Sequence, residues 1–172
     1  MNQLRIEARS LDALEAIIRQ APTGLIAIDG CPLAGKSTAR VQLCERLGAI
    51  GLELDNFVVR DQREYVKALR TDDVSRALQD ALSRTGRVLL DGVCMREILA
   101  LLGFAARLHV YVQPISPYGI PSNLETLDAE DGKPLDPTVA TFFNELDHEV
   151  FRYHAAYRPF KQADVIYYRT AE

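Results

Sequence analysis

The stretch Leu25–Thr38, LIAIDGCPLAGKST, constrains this chain more than any other. A short apolar run, Leu25-Ile26-Ala27-Ile28, ends at Asp29. Gly30-x-x-x-x-Gly35-Lys36-Ser37 follows, and helical spacing resumes after it. Strand, glycine-rich turn and helix in that order make the Walker A, or P-loop, pattern that cradles a triphosphate. Such a ligand needs several backbone N–H groups aimed at one place, and Gly30 and Gly35 permit the curled backbone that aims them. The loop residues Gly30, Cys31, Pro32, Leu33, Ala34, Gly35, Lys36, Ser37 and Thr38 are therefore the expected nucleotide-binding set. Lys36 supplies a point charge to the β- and γ-phosphates, the next helix presents its positive end, and Ser37 can hold Mg²⁺.

With 172 residues, 48% of them apolar, the chain has the size and composition of one globular domain spanning 1–172. A net charge of −4 argues against nucleic-acid or anionic-membrane partners. The longest near-apolar run, Ile98–Ala106, is far too short to span a bilayer. Arg5, Glu7 and Arg9 are unlike a signal peptide, and Cys31, Cys44 and Cys94 lack metal-ligand spacing. These features together predict a cytoplasmic protein with reduced thiols. Oligomeric state is not encoded in any motif here.

Along the chain, Ser10 reads as the N-cap of a short amphipathic helix that covers a sheet edge. Strands are expected at Leu25–Ile28, Ile50–Leu54, Arg87–Leu90, Arg107–Gln113 and Asp164–Tyr168. Helical patterns follow the P-loop and recur from Thr71 and from Met95. A stripe at Val139, Phe143, Leu146, Val150, Tyr153 and Tyr157 predicts one helix of about five turns. Alternating strands and helices argue for an α/β fold, a doubly wound parallel sheet of about five strands in a three-layer P-loop architecture. Pro114–Pro137 differs in kind. It holds five of the eight prolines and five carboxylates and reads as an irregular lid or insertion.

Ligands of open parallel sheets bind beyond the carboxyl ends of the strands. Asp29, Asp55 and Asp91 each end an expected strand, so all three should point toward the P-loop edge. Asp91 fits an aspartate that helps hold Mg²⁺, or else a turn residue before Gly92. Asp55 could accept a proton from a substrate hydroxyl during transfer, assist the metal's water shell, or cap a turn.

Leu25–Thr38, Leu54-Asp55-Asn56-Phe57, Val88–Gly92 and Ala163-Asp164-Val165-Ile166 resemble, in order and rough spacing, the uridine kinase-like phosphotransferases, a group that includes phosphoribulokinase and pantothenate kinase. The resemblance implies ATP and Mg²⁺ as cofactors and a small-molecule acceptor. It implies that Asp55 is the catalytic base beside Lys36, and that Asp91 is the acidic residue after the third strand. It also implies an arginine-bearing lid after the fourth strand, yet Tyr118–Asp136 contains no arginine and only Lys133. Arg96, Arg107, Arg152 and Arg158 remain as candidates for the phosphate contact, Arg152 alternatively forming a solvated salt bridge with Glu149, while Arg60 and Arg63 read either as contacts to an acidic or phosphorylated substrate or as a solvated face.

The expected activity is ATP-dependent, Mg²⁺-assisted phosphoryl transfer to a hydroxyl of a small molecule. The alternative is a catalytically inactive ATP-binding sensor or scaffold, motivated by the arginine-poor acidic segment. A GTPase switch lacks its guanine-reading Asn-Lys-x-Asp stretch. A dinucleotide-binding dehydrogenase lacks the second tight glycine after Gly30.

Overall fold

The computed structural model describes residues 5–60 and 62–170. Its strands are β1 (Ile6–Ala8), β2 (Gly24–Asp29), β3 (Ile50–Glu53), β4 (Arg87–Asp91), β5 (Leu108–Ile115) and β6 (Val165–Thr170). The helices are α1 (Leu11–Gln20), α2 (Lys36–Leu47), α3 (Thr71–Arg84), α4 (Met95–Leu102), α5 (Leu124–Glu130), α6 (Pro137–Ala140) and α7 (Glu145–Tyr157). A 3-10 turn, Leu54–Phe57, follows β3.

The strands form one parallel sheet in the order β1-β6-β5-β2-β4-β3. This is six strands, not five. The extra one, β1, is three residues long with Glu7 exposed at its centre, as suits an edge strand. Its charges hide its pairing with Val165–Tyr167 from any hydrophobic pattern.

β2 is buried on both faces, which is why it reads as an unbroken apolar run rather than an alternating one. Leu25 and Ala27 pack with α3, α4 and α7, while Ile26 and Ile28 pack with α1 and α2. Each fully buried Leu or Ile of this kind contributes about 1.5–3 kcal/mol. From β2 the chain runs to β3 and β4 on one side, then to β5 and β6 on the other. That reversal places a crevice at the carboxyl end of β2.

Two expectations for the second half change. The predicted five-turn helix is broken, because Asn144 starts a new one. Its side chain accepts from the Asp147 N–H while Asp147 accepts from the Asn144 N–H, a capping box that ends the stripe's continuity at Phe143. The 114–137 segment is also not wholly irregular. Leu124–Glu130 is helical and packs on α7, and the prolines flank it rather than interrupt it. Its Glu130 is buried, and the carboxylate accepts the N–H groups of Phe160 and Lys161 at 2.9 and 2.8 Å. Asp128 and Asp131 pair with Lys133 and Lys161.

No described helix is long and apolar enough to cross a membrane.

Candidate active site

The P-loop leaves β2 with backbone that only glycine tolerates easily. Gly30 has φ 148°, and a Cβ there would stand 2.8 Å from the Val112 carbonyl oxygen. Gly35, at φ 89°, is the residue before α2, and a Cβ there would meet Arg169 Nε at 2.7 Å. Between them Leu33 forms the fully exposed tip at φ 62°. Lys36 opens α2 and is 8% exposed, with Nζ donating to the Cys31 carbonyl at 2.6 Å. Burial pushes its pKa down, while the nearby Asp29, Asp55 and Asp91 carboxylates oppose that shift.

Asp29 lies at the P-loop edge, as expected of a residue that ends β2, but it does not line the crevice. It is 4% exposed beneath the loop, accepting the Gly30 N–H at 2.8 Å and the Tyr153 hydroxyl. Burial pushes its pKa up. Its role is to hold the start of the loop. Cys31 is buried as well, with Sγ 3.6 Å from the Tyr111 hydroxyl and 3.5 Å from Thr126 Oγ1.

Asp91 ends β4 beside Ser37, whose hydroxyl lies 2.8 Å from Asp91 Oδ2 and 3.1 Å from Glu53 Oε1. Glu53 and Asp91 are neighbours in the β3–β4 register, so two carboxylates meet one hydroxyl. Glu53 carries no motif of its own in the sequence; its place depends on the β3–β4 register. Arg40, from the second turn of α2, binds both carboxylates, its Nη2 standing 2.9 Å from Glu53 Oε2 and its Nε on Asp91. Gly51 leaves the space that this guanidinium occupies. Mg²⁺ commonly takes one or two protein oxygens and completes its shell with phosphates and water. Ser37 and Asp91 fit that pattern. Among the described residues no cluster of three or more acidic, His or Cys side chains forms a self-sufficient metal cage.

Asp55 sits on the 3-10 turn rather than at a strand end, and it is exposed. The Tyr65 hydroxyl donates to Asp55 Oδ1 at 2.5 Å. Burial and this hydrogen bond keep the Tyr65 phenol protonated far above its ordinary range. Gly92, Val93 and Leu146 lie alongside. All these groups share one cleft of about 460 Å³ with Pro32–Thr38, Asp91 and Arg169.

Arg60, Arg152 and Arg158 are not among the residues lining this cleft. Arg60 is exposed, Arg158 ends α7 at φ 48°, and Arg152 borders a separate groove with Glu64, Lys67 and Glu97. Arg96 is tied to the Gln162 carbonyl, and Arg107 lies against Gly24. The arginine that reaches the loop is Arg169, on a strand expected to stop at Tyr168. Its signal was position. It follows Ala163-Asp164-Val165-Ile166 in register with β5, so β6 carries it to the P-loop edge. No residue of 114–137 lines the cleft.

No family model matches the sequence, and neither does any curated protein. Among solved structures, one described as a possible uridine kinase from Bacillus stearothermophilus superposes with a TM-score of 0.61. The two are 17% identical over 91% of this chain and 96% of that one. The chain has an α/β P-loop fold. A provisionally assigned fructose transport system kinase from Silicibacter sp. TM1040 shares it at a TM-score of 0.56 and 16% identity, over 92% of this chain and 99% of that one. Both similarities span the P-loop fold from end to end.

Proposed function

We propose that this protein transfers the γ-phosphoryl group of ATP, with Mg²⁺, to a hydroxyl of a small molecule. The observation that carries the reading is the shared cleft, in which Asp55 faces the P-loop residues Lys36 and Ser37 together with Asp91. The named functions of the two structural neighbours agree with it.

Bound Mg²⁺ supplies charge neutralisation between the phosphates and would be held by Ser37 and Asp91. Backbone N–H groups of 30–37 orient the triphosphate at the positive end of α2. Lys36 exchanges its Cys31 carbonyl for phosphate oxygens, and Arg169 adds a second cation over Gly35. Asp55 accepts the proton of the attacking hydroxyl, and the Tyr65 hydroxyl holds one of its oxygens in place. The cations lining the cleft lie with the P-loop, whereas the Asp55 end is lined by Tyr65, Gly92, Val93 and Leu146. That lining suits an uncharged acceptor.

One observation favours a second reading, an ATP-binding sensor without transfer. Arg40 already neutralises Asp91 and Glu53, the carboxylates nearest Ser37.

The test is transfer of labelled γ-phosphate across a panel of nucleosides, sugars and vitamins. The kinase reading expects Mg²⁺-dependent label on at least one neutral acceptor. Tight ATP binding with no labelled product favours the sensor, and no ATP binding rejects both.

A further inference from the structure

We propose that Glu149 is a positioning residue for Asp55, acting through the turn that carries Tyr65; this rests on the kinase reading, in which Asp55 is the base. Val58 and Leu69 form an antiparallel bridge, and beside it Val59 N–H donates to the Ala68 carbonyl at 2.8 Å. Leading directly into Leu69 a single helical turn forms, in which Ala68 N–H donates to the Glu64 carbonyl at 2.9 Å. The first N–H groups of such a turn have no acceptor within it.

Glu149 supplies both acceptors from α7. Its Oε2 accepts Tyr65 N–H at 2.7 Å, and its Oε1 accepts Val66 N–H at 3.1 Å. A carboxylate taking two parallel N–H groups fixes position and orientation together. It fixes the backbone of the residue whose hydroxyl reaches Asp55 Oδ1 at 2.5 Å. Oδ2 is left for the acceptor's proton.

The same helix holds the opposite side of the cleft. Tyr153 lies four residues after Glu149, on the same helical face, and donates to Asp29 beneath the P-loop. One rigid element thus spans from the phosphate side to the acceptor side, and Glu149 is its handle on Asp55. Glu97 and Lys67 also border Glu149, but neither donates to it.

The test combines ¹³C-labelled tyrosine rings, amide hydrogen exchange and steady-state kinetics on the full chain. Tyr65→Phe identifies the Tyr65 ring signal, and Asp55→Asn shows where that signal goes when the carboxylate is lost. Glu149→Ala is expected to speed exchange at the Tyr65 and Val66 amides and to move the Tyr65 signal the same way. It should lower kcat about tenfold, the scale of one hydrogen bond to a charged group, with the KM for ATP within about twofold. Added to Tyr65→Phe it should cost nothing more, because both changes cut one chain of contacts.

Faster exchange with an unmoved Tyr65 signal would overturn the proposal, as would losses that multiply in the double variant. Glu149→Gln can hold only one of the two N–H groups and should fall between; it carries the same readouts where Glu149→Ala does not fold. Wild type that phosphorylates no acceptor defeats the kinase reading instead, while exchange and ring signal still decide whether Glu149 sets Tyr65 on Asp55.

Discussion

The two ends of the cleft are built by opposite strategies. The P-loop end, proposed to hold the phosphates, is nearly continuous in sequence: Gly30 to Thr38 is a turn, its glycines and a helix start, shaped by backbone torsions at Gly30 and Gly35. The end proposed to hold the acceptor is assembled from a distance. Asp55 sits on a 3-10 turn, Tyr65 on the turn before Leu69, Val93 before α4 and Leu146 on α7, with the Tyr65 turn tied by Glu149, 84 positions from Tyr65. A local device can be written as a motif. A distributed one must be held by long-range hydrogen bonds, so damage there should weaken turnover without abolishing nucleotide binding.

The contrast breaks most sharply at Lys36. Lys36→Ala should lower phosphoryl transfer about a thousandfold, since a preorganised cation at the transferring group is lost. Radiolabelled product formation measures it. Activity within about tenfold of wild type would remove the P-loop from the chemistry.

Arg169 tests whether the phosphate end is as local as it looks. Arg169→Ala should reduce kcat/KM for ATP by about ten- to a hundredfold, while Arg152→Ala and Arg158→Ala stay within about twofold. The reverse ranking would return the phosphate contact to α7.

The smallest effect concerns what both ends rest on. His154 is fully buried on α7, Nδ1 donating to the Val150 carbonyl and Nε2 accepting from the Tyr111 hydroxyl, each at 2.8 Å. That arrangement requires a neutral ring, and burial lowers its pKa to about 4 from 6.5. Between those values the unfolded chain binds a proton that the folded chain refuses. The stability His154 contributes is therefore complete above pH 6.5 and lost as pH falls toward 4. Relative to His154→Gln, wild type should lose about 2 kcal/mol of its advantage between pH 7 and pH 5, read from denaturant midpoints. An advantage unchanged with pH would mean the ring is charged or solvated.

Legibility in the sequence follows the same division. The parallel sheet, the P-loop and the apolar runs of β2, β4 and β5 are local patterns, and they predict their elements closely. β1 was not legible, because three residues with a central glutamate carry no periodicity. The break at Asn144 was legible in principle from Asn144-x-x-Asp147, but the apolar stripe ran across it. At the site, Asp91 is legible as a strand end, whereas Asp55 lies two residues beyond β3 on the 3-10 turn. Asp29 looks like Asp91 in sequence, and only the Tyr153 hydroxyl, 124 positions away, turns it into a buried support. Arg169, Glu53 and Tyr65 depend on register and loop return, which no short motif encodes.

The central claim is that Asp55 acts on the acceptor and not on the nucleotide. Asp55→Asn offers the most direct measurement: ATP·Mg²⁺ affinity by calorimetry beside labelled γ-phosphate transfer in the same preparation. The account predicts affinity within about threefold of wild type and transfer reduced by about a hundredfold or more. Transfer retained at the wild-type rate, or lost together with nucleotide binding, would contradict it.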